Sequence, residues 1–253
     1  MKISIITVTY NSQETVQDTF QSVLSQNYKD IEYIIIDGKS NDKTIEIIKQ
    51  YESLFEGRMK WISEKDQGIY DAMNKGIALA TGDIIGILNS DDLFCDNKVL
   101  TDIVDQFSPD IDALYGNLYF VNYKDTDKIE RIWKGSPYKS FTTGWHPAHP
   151  TFYVRRDIYK KYGTFKINYN VSADFELMLR FIEKYRIRTK YYNRYLVKMR
   201  LGGESTKSIK NIIIGNKNVI KAFKENGIKI YAPCYLIKRL LPKFLDSLKN
   251  KIK

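Results

Sequence analysis

The first half of the chain alternates two kinds of hydrophobic pattern. Ile3–Val8, Ile31–Ile36, Met59–Ile62 and Asp83–Leu88 are short, mostly apolar runs rich in isoleucine, with the length and composition of buried strands. Between them, Glu14–Gln26 places Val16, Phe20, Val23 and Leu24 at helical spacing, and the stretch opened by Ser40-Asn41-Asp42 does the same with Ile45, Ile48 and Tyr51. Tyr70–Ala80 reads as a third helix. Continuous apolar strands alternating with amphipathic helices predict an α/β fold with a mostly parallel sheet covered on both faces. Ligands of such sheets bind beyond the C-terminal ends of the strands. Three of those ends are polar here: Tyr10-Asn11, Asp37-Gly38 and Asn89-Ser90-Asp91-Asp92. The pattern therefore predicts that these three segments line one crevice.

The second half is less regular. Ala113–Asn122 reads as a strand, and Glu130–Gly135 as its hairpin partner. Thr142–Pro150 is a loop rich in Gly, Pro and His, followed by a strand-like Phe152–Val154 and a short helix, Arg156–Tyr162, closed by Gly163. Ser172–Tyr185 reads as one helix, with Ser172 as N-cap candidate and Phe175, Leu179 and Ile182 on one face. Thr189–Met199 is strand-like. Gly202-Gly203-Glu204-Ser205-Thr206 reads equally as a mobile lid or as an ordinary strand-to-helix turn.

Composition is that of an ordinary globular protein: 253 residues, 43% hydrophobic and 28% charged. No apolar run approaches the ~18 residues of a membrane-spanning helix. The N-terminus runs directly into strand-like sequence, so no secretory signal is expected. Cys95 and Cys234 stand alone, which suits a reducing cytoplasm.

Charge changes the picture more. The net charge is +10, and residues 204–253 hold 12 basic and 3 acidic side chains, whereas residues 1–203 hold 28 and 27. A nearly neutral body, 1–203, thus precedes a strongly basic tail, 204–253. The tail carries two apolar helical stripes, Ile209, Ile212, Ile213, Ile220 and Phe223, then Ile237, Leu240, Leu241, Phe244, Leu245, Leu248 and Ile252. A cationic amphipathic helix of this kind can lie on an anionic membrane surface, or pack on the domain with its lysines in water. No recognised nucleic-acid motif accompanies the charge, so no nucleic-acid partner is expected.

Candidate chemistry concentrates at the strand ends. Asp91 and Asp92 are adjacent carboxylates, an arrangement that either a divalent cation or a solvated turn relieves. Oxygen ligands without a nearby His or Cys pattern point to Mg²⁺ or Mn²⁺ held jointly with phosphate oxygens. Asp37 sits where an acid accepts hydrogen bonds from a ribose or a base, or closes a turn. No Gly-rich phosphate loop is present, which argues against a hydride-transfer enzyme and an NTPase. The only histidines, His146 and His149, lie in Gly144-Trp145-His146-Pro147-Ala148-His149-Pro150. That loop offers an aromatic surface for sugar stacking, or is merely a rigid turn.

Four blocks within residues 3–92 resemble family-2 glycosyltransferases, which have the GT-A fold and invert the anomeric centre. They are Ser4–Asn11, Ile34–Thr44, Glu64–Ile77 and Ala80–Asp92, the last similar to the block that carries the family's DxD metal motif. The resemblance implies a nucleotide-sugar half, 1–110, and an acceptor half, 111–203. It implies that Val8, Thr9 and Tyr10 hold the nucleotide base, with Tyr10 stacking on it and Asp37 binding it. Asp66 and Asp71 would border the nucleotide and donor sugar, Asn89 and Ser90 would line the same site, and Asp91 would ligate Mn²⁺ or Mg²⁺. Ser172–Leu177 is similar to the segment carrying the catalytic base, which makes Asp174 the base. Trp145 and His149 are the acceptor-side candidates. Two positions depart from the pattern: Asn89 replaces the first acid of the metal motif, and Met73 stands where many members carry Arg. The implied activity is transfer of a sugar from a nucleotide diphosphate donor, UDP-linked in preference, to a glycan hydroxyl in bacterial surface polysaccharide synthesis. The acceptor would be lipid-linked and the enzyme cytoplasmic, peripheral on the inner face of the membrane. A non-catalytic sugar-nucleotide-binding protein and a membrane-docked scaffold are the alternatives from other classes.

Overall fold

The computed structural model describes residues 1–202 and 209–239. The predicted α/β alternation is present: β1 (Ile3–Thr9), α1 (Val16–Leu24), β2 (Ile31–Asp37), α2 (Thr44–Leu54), β3 (Met59–Ser63), α3 (Ile69–Leu79) and β4 (Ile84–Ile87). There follow β5 (Asp92–Phe94), α4 (Val99–Asp105), β6 (Ala113–Val121), β7 (Ile129–Trp133), β8 (Tyr153–Arg155), α5 (Arg156–Tyr162), α6 (Ala173–Met178), β9 (Thr189–Arg200) and α7 (Ile209–Glu225). Residues 232–239 form a further helix, α8.

The strands make one sheet in the order β3-β2-β1-β4-β8-β6-β9-β5, with β7 paired to β6. β1 lies between β2 and β4 and is parallel to both, with Thr9 level with Asp37. β4 to β8 and β8 to β6 are antiparallel, and β6 runs parallel to β9. The run β3-β2-β1-β4, which holds the strands of the first half, is parallel throughout, as the sequence pattern requires. The strand period of two divides its side chains between two cores. Ile3, Ile5, Tyr33 and Ile35 face one, with Phe20 and Val23 of α1 and Ile48 of α2. Ile6, Val8, Ile34 and Ile36 face the other, with α3, α6 and α7. Met73 belongs to this second core at 2% exposure. It therefore does not stand at the surface where a phosphate-binding arginine would.

Several local expectations change. Ser172 does not cap its helix through its side chain: it stands at φ 69°, and the helix begins from its carbonyl, which accepts from the Glu176 amide at 3.2 Å. The helix expected over Ser172–Tyr185 is α only to Met178 and continues as a π-helical turn over Leu179–Lys184. There Arg180 pairs with the buried Glu176 at 3.1 Å and donates to the carbonyls of Tyr162 and Thr164. β5 and α4, too short to show periodicity, were not foreseen. In the basic segment, Val219, Ala222 and Phe223 of α7 and Tyr235 of α8 join the second core, while Ile212 and Ile213 of the expected apolar stripe are 45% and 52% exposed. Asn218 and Lys221 donate to the carbonyls of Val171 and Asn168, so α7 packs along the segment that leads into α6. Most of the second stripe, from Leu240 on, lies outside the described residues.

Candidate active site

The three polar strand ends meet. Gly38 donates its amide to the Thr9 carbonyl at 2.8 Å, Asn11 donates its amide to Ser40 Oγ at 2.9 Å, and the Asn41 amide returns to Asn11 Oδ1 at 3.0 Å. Ser12 and Ser90 share a hydroxyl hydrogen bond of 2.9 Å. The loops after β1, β2 and β4 are thereby bound into one rim. Tyr10 is 66% exposed on it. A Cβ on Gly38 would come within 2.7 Å of Asp66 Oδ2 and 3.4 Å of the Tyr10 ring. Only a residue without a side chain lets these two groups approach the β2 turn.

Asp37 lies beneath this rim, fully buried. Its carboxylate accepts from Thr9 Oγ1 at 2.8 Å, the Ser40 amide at 2.9 Å, Ser40 Oγ at 2.5 Å and Ser63 Oγ at 2.7 Å. It ties together the ends of β1, β2 and β3, and none of its oxygens stands free. Val8 is buried in the second core one residue before this ring. Asp66 accepts from the Gly68 amide at 2.9 Å, and Asp71 from the Gln67 amide at 3.0 Å. These two bonds shape the turn that launches α3. A cleft of about 240 Å³ opens between Gln67–Asp71 and the side chains of Ile167, Tyr169 and Asn170.

The acidic motif divides its work. Asp92 is buried, and burial followed by the charge of Asp91 drives its carboxyl well above the usual range. It accepts from Asn89 Nδ2 at 3.1 Å. Asp91 is half-buried on the rim, and its desolvation raises its pKa against the opposing charge of Arg200. Arg200, at the end of β9 and 3% exposed, donates to the Asp91 carbonyl at 2.9 Å and to the Tyr123 carbonyl at 3.0 Å, and pairs with Asp18 at 2.5 Å. Sequence reading missed Arg200. Its partners are remote in the chain, and only sheet order brings them together.

Asn89 Oδ1 and Asp92 Oδ1 are buried without a hydrogen-bond partner among the described residues, so the motif carries unused oxygen acceptors beside Asp91. Among the described residues no three His, Cys, Asp or Glu side chains converge as a closed metal cage. This donor set suits a hard cation that completes its shell with phosphate oxygens.

Asp174 stands in the first turn of α6. Tyr70 Oη donates to its carboxylate at 3.2 Å. Burial and the Asp174 charge hold the Tyr70 phenol well above its usual pKa, so it remains a donor. The Tyr70 ring stacks on Phe165 at 5.6 Å, and His149 meets Phe165 edge-on at 5.7 Å. Burial lowers the His149 pKa against the attraction of Asp174, which favours the neutral imidazole. Trp145 is held edge-on by Tyr138 and Phe141 at 5.6 and 5.5 Å. His146 packs between Trp133 and Phe175 at 5.2 and 5.5 Å. The structure thus sets His149 on the Phe165 ring that also stacks on Tyr70, the partner of Asp174, and sets Trp145 in an aromatic cluster. Of the glycine segment read as a lid, Gly202 is described, in the left-handed region at φ 106°, and residues 203–206 lie outside the described residues.

A sheet whose parallel strands end together in one polar, acid-bearing rim defines an α/β protein of the class that takes its ligand at that edge. The family model described as glycosyl transferase family 2 matches residues 4–186. An uncharacterised glycosyltransferase of Mycobacterium tuberculosis is 31% identical over 182 residues, which is 70% of this chain and 68% of its own length. A PGL/p-HBAD biosynthesis glycosyltransferase of Mycobacterium bovis is 26% identical over 198 residues, covering 74% and 72%. Two solved structures share the fold. Staphylococcus aureus TarS in complex with UDP-GlcNAc has a TM-score of 0.66 at 16% identity, over 94% of this chain and 70% of that one. The mannosyltransferase PcManGT of Pyrobaculum calidifontis, in complex with GDP-Man and Mn²⁺, has a TM-score of 0.68 at 16% identity, over 95% and 69%. The chain belongs to glycosyl transferase family 2, and its fold is the GT-A type.

Proposed function

We propose that this protein transfers a sugar, with inversion, from a nucleoside diphosphate donor to a hydroxyl of a glycan acceptor. The observation that carries the proposal is the placement of Asp174. Its carboxylate is held by Tyr70 of the nucleotide half although it belongs to the acceptor half. In the proposed reaction the acceptor hydroxyl gives its proton to Asp174 as its oxygen bonds to the anomeric carbon. The bond from that carbon to the diphosphate oxygen breaks on the opposite face, and the electron pair leaves with the nucleoside diphosphate. Tyr70 keeps Asp174 oriented. Tyr10 offers its exposed ring to the base, with Val8 and Thr9 shaping the floor. A hydrogen bond from the base to Asp37 would replace one of the serine hydroxyls now on that carboxylate. Asp66 and Asp71 border the donor sugar from the start of α3, and Trp145 and His149 belong to the acceptor side.

Asp91, with the free oxygen of Asn89 and the neighbouring Ser90, would hold Mn²⁺ or Mg²⁺ against the donor phosphates. Bound there, the cation supplies Lewis-acid neutralisation of the departing diphosphate. The UDP-GlcNAc and GDP-Man complexes of the two structural neighbours support a nucleotide-sugar donor, and we favour a UDP-sugar. The relative named for PGL/p-HBAD biosynthesis supports a sugar transfer within a bacterial biosynthetic route, and we read the acceptor as a glycan of the bacterial surface. We read that acceptor as lipid-linked and the enzyme as peripheral on the inner face of the membrane.

The test is a thermal-shift screen of UDP-, GDP-, TDP- and CMP-sugars with Mn²⁺ or with EDTA, on the wild type and on Asp91→Ala. A donor at ~100 times its Kd stabilises by about 2.7 kcal/mol. One nucleotide class should give a metal-dependent shift that Asp91→Ala abolishes. An equal shift in EDTA would overturn the metal assignment, and no shift with any donor would overturn the donor site.

A further inference from the structure

Helix α7 turns one face to the domain and leaves the opposite one bare. Gly215, Val219, Ala222, Phe223 and Asn226 are buried against the body of the protein. On the far side Lys210, Lys217 and Lys224 are all exposed. Their spacing of seven sets them on one line, which at 1.5 Å per residue is ~21 Å long. Ile213 falls between Lys210 and Lys217 at spacings of three and four, whereas Ile220, between Lys217 and Lys224, is partly buried against the second core. Ile213 is 52% exposed. None of the three lysines forms an ion pair with a described residue. Glu225, the sole acid in residues 209–239, is occupied by Lys166 at 2.9 Å and Lys221 at 3.7 Å.

We propose that this outer row of α7 is a docking surface for an anionic lipid bilayer. Two physical features select that partner. Among the described residues the cations have no acid of their own to neutralise them, so they call for an extended anionic surface. The exposed Ile213 between them gains only from a partner that also offers an apolar layer just beneath its charges. A bilayer does so: lysine stems reach up to the phosphates while the isoleucine enters the acyl boundary. A nucleic acid would match the charge and leave Ile213 in water, since the row holds no aromatic or arginine on which a base could stack.

The row is also close to the chemistry. A Cβ on Gly215 would lie 3.3 Å from Ser172 Oγ, two residues before Asp174. A bilayer against α7 would thus lie about one helix diameter, ~10 Å, from that segment. Resting on the proposed transfer reaction, this would present the site to an acceptor carried by the membrane.

The test is co-sedimentation of the full-length protein with vesicles of phosphatidylcholine, with and without about one third phosphatidylglycerol, at low and high salt. Binding should need the anionic lipid and weaken with salt. Lys210→Gln/Lys217→Gln/Lys224→Gln should lose roughly a hundredfold in partitioning, at about fivefold per lysine. Ile213→Ser should lose about tenfold while keeping the salt dependence. Circular dichroism and the melting temperature confirm that each variant is folded. Wild-type protein that ignores anionic vesicles overturns the proposal. So does a triple variant that binds them like wild type, because the basic residues beyond 239 would then suffice. Lysine-dependent binding to soluble DNA without vesicle binding reassigns the row to a soluble polyanion. No substrate enters the assay, so its failure is distinct from failure of the transferase reading.

Discussion

The phenol of Tyr70 donates a hydrogen bond of 3.2 Å to Asp174 across 104 residues of chain. Tyr70 opens α3, in the half that carries the strand-end crevice. Asp174 opens α6, in the other half. The bond joins the candidate donor site to the candidate base. It exists because α3 and α6 pack against one core, to which Met73 and Phe175 both belong.

Removing either partner should separate chemistry from folding. Asp174→Asn keeps the side chain's shape and cannot take a proton, so kcat should fall by about a hundredfold or more. Tyr70→Phe leaves the base in place but free to turn. It should lower kcat by about tenfold with donor KM nearly unchanged, at a stability cost of about 1 kcal/mol. Steady-state kinetics on both variants, with denaturant unfolding as control, checks this. An Asp174→Asn enzyme of wild-type kcat would remove Asp174 from the reaction.

Arg200 is a buried cation with partners on three segments, so losing it leaves Asp18 and the carbonyls of Asp91 and Tyr123 unmatched. Asp18 is 54% exposed and solvated once the pair is lost, so the cost of Arg200→Met comes mainly from the two carbonyls and should be about 1–3 kcal/mol by urea denaturation. Arg200→Lys keeps the charge and loses the fork, so it should recover part of that stability. Because the Asp91 backbone is then held less firmly, Arg200→Lys should also weaken Mn²⁺ binding in the presence of donor. Calorimetric titration with the metal reads this independently of turnover.

Glu32 marks the acid limit of the fold. Burial alone would raise its pKa. Hydrogen bonds from the Thr81 amide, Ser4, Lys60 and the Thr81 hydroxyl reverse that and bring it from 4.5 to about 2. An acid held low in the folded state stabilises the fold while ionised. The contribution is complete above the unfolded value of 4.5 and is lost as pH falls towards 2. Glu32→Gln should therefore be less stable than wild type at neutral pH, and the gap should close over that interval. Melting temperatures of the two proteins across the range provide the check; parallel curves would contradict the assignment.

Ser172 holds a left-handed conformation, φ 69°, directly before the helix of Asp174. A glycine there relieves about 1 kcal/mol of strain. Ser172→Gly should raise the melting temperature slightly. It should also loosen the first turn of α6 and lower kcat several-fold. A variant both more stable and fully active would show that the strained turn does not contribute to positioning the base.

The sequence by itself determined the frame. Apolar runs and helical spacing locate β1 to β4 and α1 to α3, because a side chain's burial repeats with the local backbone period wherever a sheet is covered on both faces. The same reasoning placed Tyr10, Asp37 and Asp91 at one edge, since parallel strands all end on the same side. Tertiary structure decided what those residues can do. Two of the four hydrogen bonds on Asp37, from Thr9 and Ser63, exist because β1 and β3 flank β2, and strand order is not written in either strand. Asp91 is backed by Arg200, and Asp174 by Tyr70, through contacts whose partners are more than 100 residues apart. The outer row of α7 became visible only once its other face was known to be buried. Periodicity reports which residues share a face; packing alone decides which face meets the protein and which is left for a partner.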